Sequence, residues 1–174
     1  MDFKFIDLFA GVGGFHQALE ALGGECVLAC EWDNDCRTVY QNAFPGDYAF
    51  PENIRSLTRN DVEDENSGFH ANTIRKKVPK HDVLCAGFPC QPFSVSNRRT
   101  GEHKLIGMYK YVIDAIRTSD AKFVVLENVV QLLKHGIFQE IKDTLVSMGY
   151  TFQHQVLNSK DFGLPQNRQR IFIV

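Results

Sequence analysis

A doubly wound α/β fold, three layers with helices on both faces of a mostly parallel sheet, is predicted by three observations on the 174-residue chain. Short apolar runs alternate with amphipathic stretches, a glycine-rich turn follows the first run, and chemically active side chains stand just past several of the others. The length predicts a single domain over residues 1–174.

Phe3 to Phe9 alternates and then becomes continuously apolar, as a buried strand does. Ala10 to Gly14 is the glycine-rich turn. Phe15, Ala18, Leu19 and Leu22 recur at helical spacing, and Gly23-Gly24 ends that helix. Cys26 to Ala29 reads as the second strand, closed by Glu31. Asp33 or Asn34 caps a helix carrying Cys36, Val39, Tyr40 and Ala43, and Pro45-Gly46 ends it. Further strands are expected at Val83 to Gly87 and Phe123 to Leu126, with helices over Met108 to Ile116 and Ile137 to Met148. Tyr150 to Leu157 alternates like a half-exposed strand, and Ile171 to Val174 is a last apolar run. Between Asn53 and Lys80 the pattern weakens. Asn60 to Gly68 reads as a surface loop and Ile74 to Lys80 as a solvated basic face.

Hydrophobic residues make up 44% and charged residues 23%, ordinary values for a globular domain that exclude a disordered tail. A net charge of -2 excludes a small module that grips nucleic acid by bulk charge, but not an enzyme whose basic residues are local. Five cysteines, an odd number, stand in strand-like surroundings with no targeting segment ahead of them. That favours reduced thiols and a cytoplasmic location. No apolar run approaches the ~20 residues of a membrane helix. Cys26, Cys30 and Cys36 have no histidine at metal-ligand spacing, so no metal is expected. His16 and His135 read as surface or cap residues.

Four segments carry chemistry. The turn Phe9-Ala10-Gly11-Val12-Gly13-Gly14 joins strand to helix, where glycines let a ligand approach the backbone; it also suits a plain tight turn. Glu31, ending the second strand, can accept from both hydroxyls of a ribose. Ala86-Gly87-Phe88-Pro89-Cys90-Gln91-Pro92-Phe93-Ser94 follows a buried strand, and its prolines pre-shape the turn bearing a candidate nucleophile, Cys90. Cys85 reads as an inert core thiol. Glu127 directly follows the run Phe123 to Leu126 and is either a cap or salt-bridge partner, or a partly dry acid with a raised pKa. Gln166-Asn167-Arg168-Gln169-Arg170 places two arginines on one face entering the last strand. They are either solvated edge charge or guanidinium contacts to a base carbonyl or phosphate.

The order Phe-x-Gly-x-Gly-Gly, Pro89-Cys90-Gln91, Glu127-Asn128-Val129 and Gln166-x-Arg168-x-Arg170, each at the expected sheet edge, resembles the DNA cytosine-C5 methyltransferases from Phe5 almost to Val174. The resemblance implies a Rossmann-like fold of the S-adenosylmethionine-dependent type. It implies Cys90 as the nucleophile on cytosine C6, Glu127 as the donor at N3, Arg168 at O2 and Arg170 as a supporting arginine. It also implies extrusion of the target base from the duplex. For the cofactor it implies Phe9 on the adenine, Gly11, Gly13 and Gly14 beside the methionine end, Glu31 on the ribose, Trp32 over the ring, and Gly87 and Pro89 beside the sulphonium. Ser94 to Lys104 resembles a loop closing over DNA. Ser94, Ser96, Asn97, Arg98, Arg99 and Lys104 within it, and Gln91 ahead of it, are the DNA-contacting candidates.

Three departures stand out. Asn53, followed by Ile54, occupies the place of an acidic residue near the adenine amino group, unless Glu52 takes it. Met108-Tyr109 replaces a Leu-Phe-type pair. The family also continues past this point into a target-recognition domain and a motif that completes the cofactor pocket. The resemblance therefore implies either a fragment or a chain completed by a second polypeptide carrying the recognition domain. Two other readings stay open: an RNA cytosine-C5 methyltransferase, and a non-catalytic cofactor-binding partner subunit.

Overall fold

The computed structural model describes residues 2–57, 78–89, 107–119 and 121–174. Cys90, Gln91, Ser94, Ser96, Asn97, Arg98, Arg99 and Lys104, with the segment Asn60 to Gly68, lie outside them. Among the described residues six strands form one sheet: β1 (Phe3–Leu8), β2 (Gly24–Cys30), β3 (Val83–Ala86), β4 (Phe123–Asn128), β5 (His154–Asn158) and β6 (Gln169–Ile173). Their spatial order is β2-β1-β3-β4-β6-β5. The first four are mutually parallel, while β6 runs antiparallel to both β4 and β5. The chain leaves β1 for β2 on one side and later returns to β3 on the other. The β1/β3 boundary is therefore a topological switch point, where open α/β sheets hold ligands beyond their strand ends.

The helices are α1 (Gly14–Glu20), α2 (Asn34–Ala43), α3 (Met108–Thr118) and α4 (Gly136–Ser147), with short 3-10 turns at Ile54–Ser56, Val130–Lys134 and Ser159–Phe162. Alternation along β1 sorts the two faces. Ile6 and Leu8 join the core made with Val112, Ile113 and Ile116 of α3 and Ile137, Ile141 and Leu145 of α4. Phe5 points the other way, onto Phe15 and Leu19. The predicted three-layer, mostly parallel sheet is thus present. No helix among the described residues is long and apolar enough to cross a membrane.

The ends of several elements match their sequence signals. Asp33 caps α2 by accepting from the Cys36 N–H at 2.9 Å. His135 caps α4, its Nδ1 accepting from the Ile137 N–H. Gly149, at φ 93°, takes the left-handed conformation just past α4. Others differ. Strand β4 runs through Asn128, so Glu127 lies within it, and β5 starts only at His154. His16 is buried, not on the surface. It shares a 2.6 Å hydrogen bond with the Tyr40 hydroxyl and stacks on Phe44 at 4.0 Å. The residues enclosing it come from β1, α2 and the chain beyond α2, which local periodicity does not report.

Asp7 points into the same layer, is fully buried, and neither carboxyl oxygen has a hydrogen-bond partner among the described residues. The His16 backbone N–H offsets only part of the cost of burying it. Desolvation, reinforced by the Glu31 charge, pushes its pKa up to about 8. An unfolded Asp releases its proton near 3.9. Between there and about 8 the folded state holds the extra proton, so stability falls as pH rises. At most this is about 1.4 kcal/mol per pH unit, or roughly 3–6 °C of melting temperature. Asp7→Asn is expected to flatten that slope in thermal melts from pH 4 to 9. A variant as pH-dependent as the wild type would show that Asp7 ionises freely.

Candidate active site

The parallel strands bring the ends of β1, β2, β3 and β4 to one edge. Because β6 runs the other way, its beginning lies at that edge too. Phe9 to Gly14, Glu31, Gly87, Glu127 and Arg168 to Arg170 are thereby collected from segments far apart in sequence.

The turn after β1 is built from left-handed residues. Phe9 has φ 57°, costly for a side-chain-bearing residue, and Gly11 and Gly13 have φ 54° and 93°. The turn is pinned by the Ala10 N–H to the Cys30 carbonyl at 3.0 Å and the Gly13 N–H to the Ala10 carbonyl at 2.9 Å. Its glycines divide by role. A Cβ on Gly13 would lie 2.2 Å from Phe44 Cε2, so this glycine admits a ring from inside the fold. A Cβ on Gly11 or Gly14 would meet nothing within 4 Å, leaving open space above the turn.

Glu31 is buried, and its carboxylate is held by backbone. Oε2 accepts from the Gly11 N–H at 2.8 Å, and Oε1 from the N–H groups of Trp32 and Asp33, both at 2.9 Å. One lone pair of Oε2 remains for a hydroxyl. Arg37, which the sequence did not single out, donates to the Glu31 and Phe50 carbonyls at 2.8 and 2.9 Å and so fixes the strand end carrying the acid. Trp32 is 74% exposed and Val12 57% exposed, leaving an apolar ring and a methyl pair uncovered beside the turn. Asn53 caps the turn Ile54–Ser56, its Oδ1 accepting from the Arg55 N–H at 3.0 Å, and Ile54 is buried in the core. The space over Gly11 and Gly14, the spare Glu31 acceptor and the exposed apolar groups fit a nucleoside-bearing cofactor.

At the β3/β4/β6 side, Glu127 and Arg170 form an ion pair, Oε1 to Nε, at 2.8 Å, each side chain 23% exposed. The other oxygen, Oε2, lies beside Gly87, where a Cβ would come within 3.5 Å of it. Partial burial pushes the Glu127 carboxyl up; the guanidinium charges of Arg170 and then Arg168 pull it back without cancelling the rise. The carboxyl is thus a paired acid with a raised pKa, combining both readings of the sequence. Arg168 is exposed and stands just before β6.

Asn128, next to Glu127, is buried and donates from Nδ2 to the Phe88 carbonyl at 3.0 Å while its Oδ1 accepts from the Val129 N–H at 2.9 Å. It ties the end of β4 to the segment two residues before Cys90 in sequence. The bond spans 40 residues, and only the adjacency of Asn128 to Glu127 hinted at it. Pro89 is half-buried. Cys85 is fully buried, with its pKa raised by desolvation, as a core thiol should be. No group of three or more His, Cys, Asp or Glu side chains among the described residues is disposed to hold a metal ion.

Comparison with known proteins adds an independent line. Residues 3–174 match the family model for C-5 cytosine-specific DNA methylase. The chain is 41% identical over 178 residues to the type II methyltransferase M.MspI of a Moraxella species, covering 99% of this chain and 38% of that protein. It is 39% identical over 177 residues to M.HaeII of Haemophilus aegyptius, covering 99% of this chain and 50% of that protein. M.HhaI of Haemophilus parahaemolyticus is 36% identical over 175 residues, 98% of this chain and 48% of that protein. The chain spans about half the length, or less, of these relatives. Among solved structures, a putative DNA modification methyltransferase encoded within an E. coli prophage superposes with a TM-score of 0.75 at 23% identity, covering 98% of this chain and 45% of that one. The S. pombe Dnmt2 methyltransferase does so with a TM-score of 0.73 at 19% identity, covering 98% and 50%. At those identities the two structures speak to the fold.

Proposed function

The chain belongs to the C-5 cytosine-specific DNA methylase family, and from that premise we propose that it carries the catalytic half of an S-adenosylmethionine-dependent transfer of a methyl group to cytosine C5 in DNA. The observation that supports this most is the junction at Glu127. A half-buried acid with a raised pKa is paired to Arg170, and its neighbour Asn128 anchors the segment that leads to Cys90.

Cytosine C5 is a poor nucleophile until electrons are pushed into the ring. In this reading the Cys90 thiolate adds to C6, and charge moves toward N3 and O2. Glu127 holds a proton at N3, and Arg168 places a guanidinium at O2. Arg170 keeps Glu127 oriented through the 2.8 Å ion pair. When bound, S-adenosylmethionine supplies the methyl group that C5 receives. Loss of the C5 proton and expulsion of Cys90 restore the aromatic ring. Glu31 would hold the cofactor's ribose through its spare acceptor, Phe9 and Trp32 would flank the adenine, and Gly11 and Gly14 leave room for the methionine end. Gly13 contributes by fixing the turn against Phe44, and Gly87 and Pro89 border the reacting side. Asn53 and Ile54 would edge the adenine. Gln91, Ser94, Ser96, Arg98 and Arg99 would contact the DNA backbone, and sequence reading would fall to a recognition part, in the same polypeptide or a second one.

The reading is tested by incubating the protein with methyl-labelled S-adenosylmethionine and either duplex DNA or RNA. Label recovered as 5-methylcytosine in DNA is the expected outcome, and label in RNA alone would contradict it. The cofactor arm needs no nucleic acid. A saturating level of S-adenosylhomocysteine, about 100 times its Kd, stabilises by roughly 3 kcal/mol. That amounts to a melting-temperature rise of roughly 5–10 °C. Glu31→Ala should remove it, and a full shift in that variant would contradict the assigned ribose contact.

A further inference from the structure

The ladder between β5 and β6 ends with Asn158 opposite Gln169. Arg168 is the first residue beyond it and would ordinarily begin a free loop. Instead, both of its backbone groups are held. Its N–H donates to Asn158 Oδ1 at 3.1 Å, and its carbonyl accepts from the Ser159 N–H at 3.1 Å. The Asn158 side chain is buried, and both its oxygen and its nitrogen are engaged. Oδ1 also accepts from the Lys160 N–H at 3.3 Å, and Nδ2 donates to Asn167 Oδ1 at 2.7 Å. Ser159 Oγ adds a bond to the Gln166 carbonyl.

We propose that Asn158 is a positioning residue: its side chain supplies one more rung to the β5–β6 hairpin and thereby fixes the backbone of Arg168 so that the guanidinium is presented toward Glu127. The assignment rests on the role proposed for Arg168 above. A fixed backbone confines the side chain to rotamers on one side of the strand. The charge of Arg168 is already felt at Glu127 in the absence of substrate. Nothing in the local pattern Leu157-Asn158-Ser159 marks this role, because the bonds run to residues 167 and 168 across a turn.

Two substrate-free measurements on the 174-residue chain test it: amide hydrogen exchange at Arg168, and the Glu127 carboxyl titration followed by carbon NMR. Asn158→Ala removes the acceptor. The Arg168 amide should then exchange roughly tenfold faster while the Gln155 and Phe172 amides keep their rates. The Glu127 midpoint should rise as the guanidinium is released. Asn158→Asp keeps the acceptor oxygen, with Asn167 able to turn its amide and donate, and should retain wild-type exchange at Arg168. An unchanged Arg168 rate or an unmoved Glu127 midpoint in Asn158→Ala overturns the proposal. If the alanine variant loosens the whole hairpin, the aspartate variant decides: slow exchange at Arg168 supports the proposal and fast exchange overturns it. Failure of the wild type to methylate DNA would count against the proposed function and leave both measurements readable.

Discussion

Exchanging Cys90 for serine is expected to remove methyl transfer to duplex DNA entirely while leaving S-adenosylhomocysteine binding and the melting temperature unchanged. A serine hydroxyl ionises far less readily than a thiol, which needs only a modest fall in pKa to attack as thiolate. The rest of the fold offers no substitute. Burial pushes the Cys26 and Cys30 thiols up to about 12 and raises Cys85 as well, while partial burial and the Asp33 carboxylate raise Cys36. None of these described thiols is poised to ionise near neutral pH. Full activity in Cys90→Ser would therefore remove the covalent mechanism, not relocate it to a neighbour. The measurement is a single-turnover assay with labelled cofactor, run beside a thermal melt.

Glu127→Gln should lower kcat by about 10²–10⁴, the range for loss of a positioned general acid, with little change in cofactor affinity. Glutamine keeps the shape and can still accept from Arg170, but it has no proton to give and no charge to pair. The wild-type pH profile carries the same signature. A carboxyl must be protonated to act at N3, so the rate should fall as pH rises through the Glu127 pKa. Desolvation moves that limb upward from the ordinary carboxylate range, against the pull of Arg170 and Arg168. The Gln variant should lose this limb, and a variant that retains it would assign the limb to another group.

Much of this site was legible before any coordinates. The apolar run of β1, the glycines after it and the acid after β2 are local signals, because a buried strand must be apolar and a left-handed turn favours glycine. The reversed direction of β6 was not legible: between the runs ending at Leu157 and starting at Ile171 the sequence leaves room for a crossover to a parallel strand. What the sequence withheld are contacts that span the fold. Arg37, Asn128 and Asn158 act through bonds to residues 13, 40 and 10 positions away, and their types are ordinary for a helix or a strand end. His16 sits in a stretch whose neighbours Gln17 and Ala18 are exposed, and the rings that close over it, Phe5, Tyr40, Phe44 and Tyr48, come from elsewhere in the chain. Asp7 was hidden for the opposite reason. A single acid inside an apolar run breaks the pattern too little to reveal that it lies buried with no side-chain hydrogen bond among the described residues.

The proposed mechanism requires that a pyrimidine lodge between the Glu127 acid, the Arg168 guanidinium and the Cys90 sulfur. A duplex carrying 5-fluorocytosine at the target position, incubated with protein and S-adenosylmethionine, should form an adduct that survives denaturation, since fluorine at C5 blocks the proton loss that frees the enzyme. Peptide mass spectrometry should find the nucleotide on Cys90. An adduct on any other residue, or one that forms equally well in Cys90→Ser, would contradict the account.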